Sequence, residues 1–264
     1  MEKTSIYFKD YLVSRLISLG KSVDGYNELY YKTNEDLVSM YDSIDFKDKD
    51  VLSVLASSDQ VFTSRLLGAK SVDSFDMNRL TIYYYYLRKW SIKYMGELYP
   101  NIYDNSWMKK LLSIVKPESK MEKIAKEFYL LHLENDTVFE RMFYDIEKQP
   151  EGRTIYSSAL ELSSVIDMPL EFYSLNLFNG FGNDKKYDII IISNILEWAR
   201  GDKNRLLHAR NLLSSLLKSN GKVLCSNIIG NNDSNEREAF INFNREEYSK
   251  NNYSYTKRLV WYTI

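Results

Sequence analysis

The chain has 264 residues, enough for one large domain or a domain with a cap. A formal net charge of −1, with 44% hydrophobic and 27% charged residues, gives no general attraction to nucleic acid or anionic lipid. One cysteine excludes an intrachain disulfide and fits a reducing, cytoplasmic setting. No uncharged run reaches the ~20 residues that span a bilayer. The N-terminal stretch carries charges early and lacks a long apolar core, so no signal peptide is expected.

Residues 4–20 read as a helix, with Ile6, Tyr7, Leu12, Leu16 and Leu19 at helical spacing and Gly20 as its stop. A short helix over 34–41 follows, with Asn34 at its N-cap. The run VLSVLAS is apolar and β-branched, as in a strand buried on both faces. Residues 60–68 form a helix closed by Gly68. SVDSFDMN is the next strand, and 80–95 a helix carrying Tyr83, Tyr84, Tyr85, Tyr86, Leu87 and Trp90. Four consecutive tyrosines cover a full turn, so they cannot share one face.

From 97 to 168 the pattern is helical. Ser119 with Glu122, and Thr137 with Glu140, have capping-box spacing. Met121, Ile124, Phe128 and Leu131 make an apolar stripe, as do Val138, Met142 and Ile146. A bare loop of this length is improbable in a compact domain, so the segment reads as a helical insertion. Strands resume at 170–178 and at YDIIIIS (187–193). Asp202 caps a helix over 203–217 that Asn220-Gly221 ends, followed by a strand at 221–228. Residues 235–249 read as helical, and KRLVWYTI as the last strand.

This order predicts an α/β fold: a doubly wound, mostly parallel Rossmann-like sheet. An N-terminal helical segment (1–49) precedes it. The sheet domain comprises 50–96 and 169–264, and the insertion 97–168 forms a cap before the third strand. Ligands of such sheets lie beyond the carboxyl ends of the strands. Asp76 ends the second strand about twenty residues after the first loop, where a carboxylate accepts hydrogen bonds from a ribose diol. The alternative is an acid that opens the following helix.

The first loop, Leu55-Ala56-Ser57-Ser58-Asp59, lacks the glycines that let a backbone cradle a diphosphate, and Asp59 repels one. NAD and FAD are therefore disfavoured. A phosphate-free nucleoside with an amino group and a sulfonium, S-adenosylmethionine, fits better.

The order of elements resembles the class I S-adenosylmethionine-dependent methyltransferases. YDIIIISNILEW is similar to their fourth-strand motif, and LLSSLLKSNGKVLCSNI to their helix and fifth strand. VLSVLASSDQ with LLGAKSVDSFDMN resembles a smaller branch, the betaine-lipid synthase-like family, as does Asn34-Glu35-Asp36 upstream. Members of that branch transfer the 3-amino-3-carboxypropyl group. This chain has Ser58 where that family has glycine, and Asn34 where it has tryptophan.

The resemblance implies that Ala56, Ser57, Ser58 and Asp59 line the methionine end, with Asp59 on the α-amino group or else a solvated loop acid. Asp76 and Met77 fall at the ribose, and Asn78 either assists Asp76 or caps the next helix. Asn176 and Leu177 fall at the adenine, and Ser193 and Asn194 at the end of the fourth strand. Glu197 is the candidate general base near the sulfonium, or else a first-turn helix acid. His132, His208 and Cys225 read as structural or surface residues, and no metal site is expected. The implied activity is an S-adenosylmethionine-dependent transfer, most simply of methyl to a small-molecule acceptor. Carboxypropyl transfer and a non-catalytic scaffold are the rivals; nucleic acid is disfavoured as a partner, and the sequence leaves oligomeric state open.

Overall fold

The computed structural model describes residues 5–26, 28–135, 142–143, 152–177, 184–193, 195–199, 202–227, 244–248 and 258–263. The chain forms two compact units. One comprises Val38–Val54, Ser64–Phe75 and Pro169–Ile264; the other comprises Met1–Leu37, Leu55–Thr63 and Asp76–Met168.

The first unit holds a seven-stranded sheet with strand order β3-β2-β1-β4-β5-β7-β6. Its strands are β1 (Asp50–Val54), β2 (Ser71–Asp76), β3 (Phe172–Ser174), β4 (Tyr187–Ser193), β5 (Leu217–Asn227), β6 (Asn244–Tyr248) and β7 (Arg258–Thr263). β1 pairs in parallel with β2 and β4, and β4 with β5. β7 runs antiparallel to both β5 and β6. This is the expected Rossmann-like α/β fold, with an antiparallel pair at one edge. Ile189, Ile190, Ile191 and Ile192 are all buried, as a strand covered on both faces requires.

Polar contacts tie the starts of the strands. Lys218 Nζ lies 2.7 Å from Asp50 and 2.8 Å from Asp188, and the Asp50 N–H donates to Asp188 at 2.8 Å. Asp73, buried within β2, accepts from Lys185 Nζ and from the Tyr187 hydroxyl.

Two expectations in this unit are corrected. The helix α8 (Lys203–Leu216), capped by Asp202 as expected, ends before Asn220-Gly221. Those residues lie in an irregularity of β5, where Tyr187 faces Leu217 but Ile189 faces Lys222. Asn220 takes φ +63° there, and a Cβ on Gly221 would come within 2.9 Å of the Lys218 carbonyl. The second correction falls on the helix expected at 235–249: its residues Asn244–Tyr248 form β6, paired along β7. The rest of that stretch lies outside the described residues.

Two further helices are short. α2 is Leu37–Tyr41, shorter than the expected 34–41. α3 is Asp59–Leu66, and Gly68 beyond it takes φ +89°, the left-handed turn that glycine enters without strain.

The second unit is helical: α1 (Ser5–Ser18), α4 (Leu80–Trp90), α5 (Asn105–Ile114), α6 (Lys120–Glu134) and α7 (Ala159–Leu162). A π-helical turn, Ser91–Met95, extends α4 and ends at Gly96. Every residue of α4 is buried, which accommodates all four tyrosines. Tyr83 stacks on Phe128 with ring centroids 4.3 Å apart, and Tyr85 on Phe62 at 5.6 Å.

The face of α1 differs from expectation. Leu12, Leu16 and Leu19 are exposed at 47%, 42% and 64%, while Asp10, Tyr11, Val13, Ser14 and Ile17 are buried. The polar members of that face have partners. Asp10 accepts from the hydroxyls of Tyr83 and Tyr26 and pairs with Arg79, and the Ser14 hydroxyl lies 2.8 Å from His132 Nε2.

On α6 the buried face is Glu122, Ala125, Phe128, Tyr129, His132 and Leu133; of the expected stripe Phe128 is buried, while Met121, Ile124 and Leu131 are half-buried. Ser119 caps α6 by accepting the Glu122 N–H, but Glu122 itself reaches the Glu118 N–H and Lys89, so the reciprocal half of the box is absent. A complete capping box occurs instead at Ser158 and Glu161. Thr137, Val138, Glu140 and Ile146 lie outside the described residues. A short ladder joins 33–37 to 152–153. A Cβ on Gly152 would meet the Glu35 carbonyl at 2.3 Å, so only glycine permits that approach.

Burial, with a smaller push from Arg15, holds the His132 imidazole down at about 3. A depressed histidine contributes stability that is full above its unfolded value near 6.5 and lost as pH falls toward the folded one. The wild-type chain therefore loses up to about 1.4 kcal/mol per pH unit from this group below about pH 6.5. Denaturant melts of wild type and His132→Gln at stepped pH isolate that slope, which the variant lacks. A charged His132 at neutral pH, seen by NMR, would contradict the assignment.

Candidate functional site

The loop between β1 and α3 carries the largest group of expected site residues. Its backbone adopts glycine geometry without glycine: Ala56 has φ +41° and Ser58 φ +74°. Left-handed backbone costs a non-glycine residue about 1–3 kcal/mol, and persists where the surroundings over-determine it. The determinants are on hand. The Ser58 N–H donates to the Leu55 carbonyl at 2.6 Å, closing the turn, and its own carbonyl accepts from Phe62 as α3 begins. The Ala56 N–H donates to Asp76 Oδ2 at 3.0 Å, across twenty residues of chain.

Asp59 sits at the centre of this arrangement and is fully buried. Oδ2 accepts from the Thr33 N–H at 2.7 Å and from the Ser57 hydroxyl at 2.7 Å. Oδ1 accepts from Arg88 at 2.8 Å, from the Tyr99 hydroxyl at 3.2 Å, and from the Tyr156 hydroxyl. Five donors occupy the two oxygens. Asp59 is therefore neither the solvated loop acid nor free to take an amino group in this conformation; it holds the loop together. Arg88 is equally buried, donates to the Ser57 carbonyl at 2.6 Å, and lies 4.3 Å from the Tyr99 ring centroid.

Asp76 is placed differently. It is half-buried, with Oδ2 on Ala56 and Oδ1 accepting the Asn78 N–H at 2.9 Å. Burial pushes its carboxyl up to about 6, and the backbone N–H donors of Asn78 and Ala56 oppose that rise. The Thr81 hydroxyl and the Met77 N–H also donate to this carboxylate. Met77 beside it is 38% exposed. Asn78 is buried and its Oδ1 accepts the Leu80 N–H at 3.1 Å, so its side chain opens α4.

The remaining candidates belong to the sheet unit. Asn176 and Leu177 follow β3, half-buried and buried respectively. Ser193 ends β4, buried and with φ +51°. Glu197 falls in the 3-10 turn Ile195–Ala199, and its side chain lies outside the described set. Asn194 lies outside the described residues. Cys225 is buried in β5 and His208 is exposed on α8. Among the described residues no helix is long and apolar enough to cross a membrane.

Thr33, Arg88, Tyr99 and Tyr156 were not legible as loop partners. Arg88 alone left a signal: a cation inside a helix with no polar face implies a buried partner.

The geometry revises one argument. Arg88 cancels the charge of Asp59, so electrostatic repulsion does not exclude a diphosphate. What excludes it is that the Ala56 and Ser58 N–H groups are spent on Asp76 and Leu55, and that Cβ atoms stand where a cradle has none.

No protein-family model matches the chain, and no curated relative matches its sequence. Among solved structures it is similar to the N-methyltransferase NodS from Bradyrhizobium japonicum WM9: 6% identity, 100% of this chain and 98% of that one, TM-score 0.42. The same enzyme in complex with S-adenosyl-l-homocysteine aligns over 86% of this chain and 82% of that one, at 7% identity and TM-score 0.43. An rRNA methylase from Streptococcus thermophilus aligns over 83% and 89%, at 11% identity and TM-score 0.37. The functional reading rests instead on the chain's own residues.

The Ser58 hydroxyl is fully buried and has no hydrogen-bond partner among the described residues, on a residue already at positive φ. Ser58→Gly removes both penalties and restores some unfolded-state entropy, so it stabilises the chain by about 1 kcal/mol. A denaturant midpoint that falls would contradict this.

Proposed function

We propose that this chain is an S-adenosylmethionine-dependent transferase that moves the methyl group to a small-molecule acceptor in the cytoplasm. The observation that carries the reading is Asp76: a half-buried carboxylate at the end of β2 that grips the first loop through Ala56. Such a carboxylate suits a ribose diol, and the loop beside it suits a ligand without phosphates. In this reading the 55–58 backbone borders the methionine end. The sulfonium is already activated, so the protein's task is to orient the acceptor and exclude water.

A second reading, 3-amino-3-carboxypropyl transfer, gains from one contact. Glu35 is buried and accepts from Gln60 Nε2 at 2.9 Å, joining the two segments that resemble the betaine-lipid synthase-like family.

Calorimetry with S-adenosylmethionine and S-adenosylhomocysteine tests the cofactor. Both bind, and Asp76→Ala weakens binding about 10- to 100-fold, the worth of charged hydrogen bonds. Wild-type affinity falls as pH drops through about 6, where Asp76 takes up its proton. No binding of either ligand, with the variant indistinguishable, leaves a scaffold. Products separate the two transfers: S-adenosylhomocysteine from methyl transfer, methylthioadenosine from carboxypropyl transfer. Small molecules and RNA offered in parallel as acceptors distinguish the substrate class.

A further inference from the structure

We propose that Tyr156 and Tyr99, from the helical stretch that follows α4, are positioning residues that set the conformation of the 55–59 loop. The part of this concerning ligand affinity rests on the cofactor reading above; the part concerning the loop does not.

The loop cannot hold its shape alone. Its own hydrogen bonds are the Ser58–Leu55 turn and the Ser57 hydroxyl on Asp59, set against left-handed backbone at Ala56 and Ser58. The remaining ties come from elsewhere in the chain: Thr33 from the N-terminal stretch, Arg88 from α4, Asp76 from β2, and the two tyrosines. The tyrosines act on the hub itself. Tyr156 is buried and its hydroxyl touches both Asp59 and, at 3.4 Å, Arg88 Nη2. Tyr99 donates to the same Asp59 oxygen, and its ring lies 4.3 Å from the Arg88 guanidinium carbon.

Burial raises both phenols well above their ordinary range, so both remain donors at neutral pH. A carboxylate shared by Arg88 and two phenols has little freedom to rotate. Ser57, bonded to it through the hydroxyl and to Arg88 through the carbonyl, has as little. A stretch far along the sequence thus fixes the walls of the ligand loop before any ligand arrives.

Tyr156→Phe removes one hydroxyl and keeps the ring. Amide hydrogen exchange and calorimetry with S-adenosylhomocysteine are measured on wild type, Tyr156→Phe and Tyr99→Phe. The expected result is exchange at amides 56–60 faster by about 10-fold in Tyr156→Phe, with β4 amides unchanged. The ligand dissociation constant rises by a similar factor, and Tyr99→Phe gives the same pattern more weakly because its bond is longer. Loop exchange equal to wild type, or exchange raised uniformly over the chain, overturns the proposal. If Tyr156→Phe does not fold, Tyr99→Phe decides on the same criteria. If the loop loosens while no protein binds the ligand, the positioning role stands and the cofactor reading falls.

Discussion

The buried ion pair between Arg88 and Asp59 is the constraint on which the candidate site depends. Both side chains are fully buried at 2.8 Å. Withdrawing two charges from water costs several kcal/mol per ion, and Coulomb attraction offsets this only when the remaining hydrogen-bonding sites are filled. Here both Asp59 oxygens are filled, and Arg88 also donates to the carbonyls of Ser57 and Leu98 and toward Tyr156. Removing either member strands the other. The Ser57 orientation and the Thr33 contact follow from this pair being complete.

Much of the sheet was legible because buried parallel strands have few alternatives. YDIIIIS and VLSV can only be strands, and the turn at Gly68 follows from its position after a helix. The helical unit was less legible because its packed faces include polar residues. Asp10 and Ser14 face inward on α1 because Tyr83, Tyr26, Arg79 and His132 satisfy them, and no periodicity rule ranks an aspartate above Leu12. Glu122 on α6 is the same case, buried against Lys89. Asn220-Gly221 reads in sequence as the end of a helix, but it marks an irregularity inside β5, a strand that begins as soon as α8 ends.

The site was legible in part for the same reason. Asp76 could be found because its place at a strand end, twenty residues past a loop, is a local property of the sequence. The role of Asp59 could not, since it depends on Tyr99 and Tyr156, forty and ninety-seven residues away. Read in isolation, an acid in an exposed loop suggests a ligand contact. With its partners in place it is an anchor, and the absent glycines acquire a different meaning. The loop keeps glycine-like backbone because a network outside it compels that shape.

A double-mutant cycle on Arg88→Met and Asp59→Asn, read by denaturant unfolding, tests this most directly. Each single substitution is predicted to cost about 3–5 kcal/mol, because it leaves a buried charge or an unmatched network. The double variant is predicted to lose far less than the sum, with a coupling of at least about 2 kcal/mol. Losses below about 1 kcal/mol that simply add would contradict the account, returning Asp59 to the role of a free loop acid.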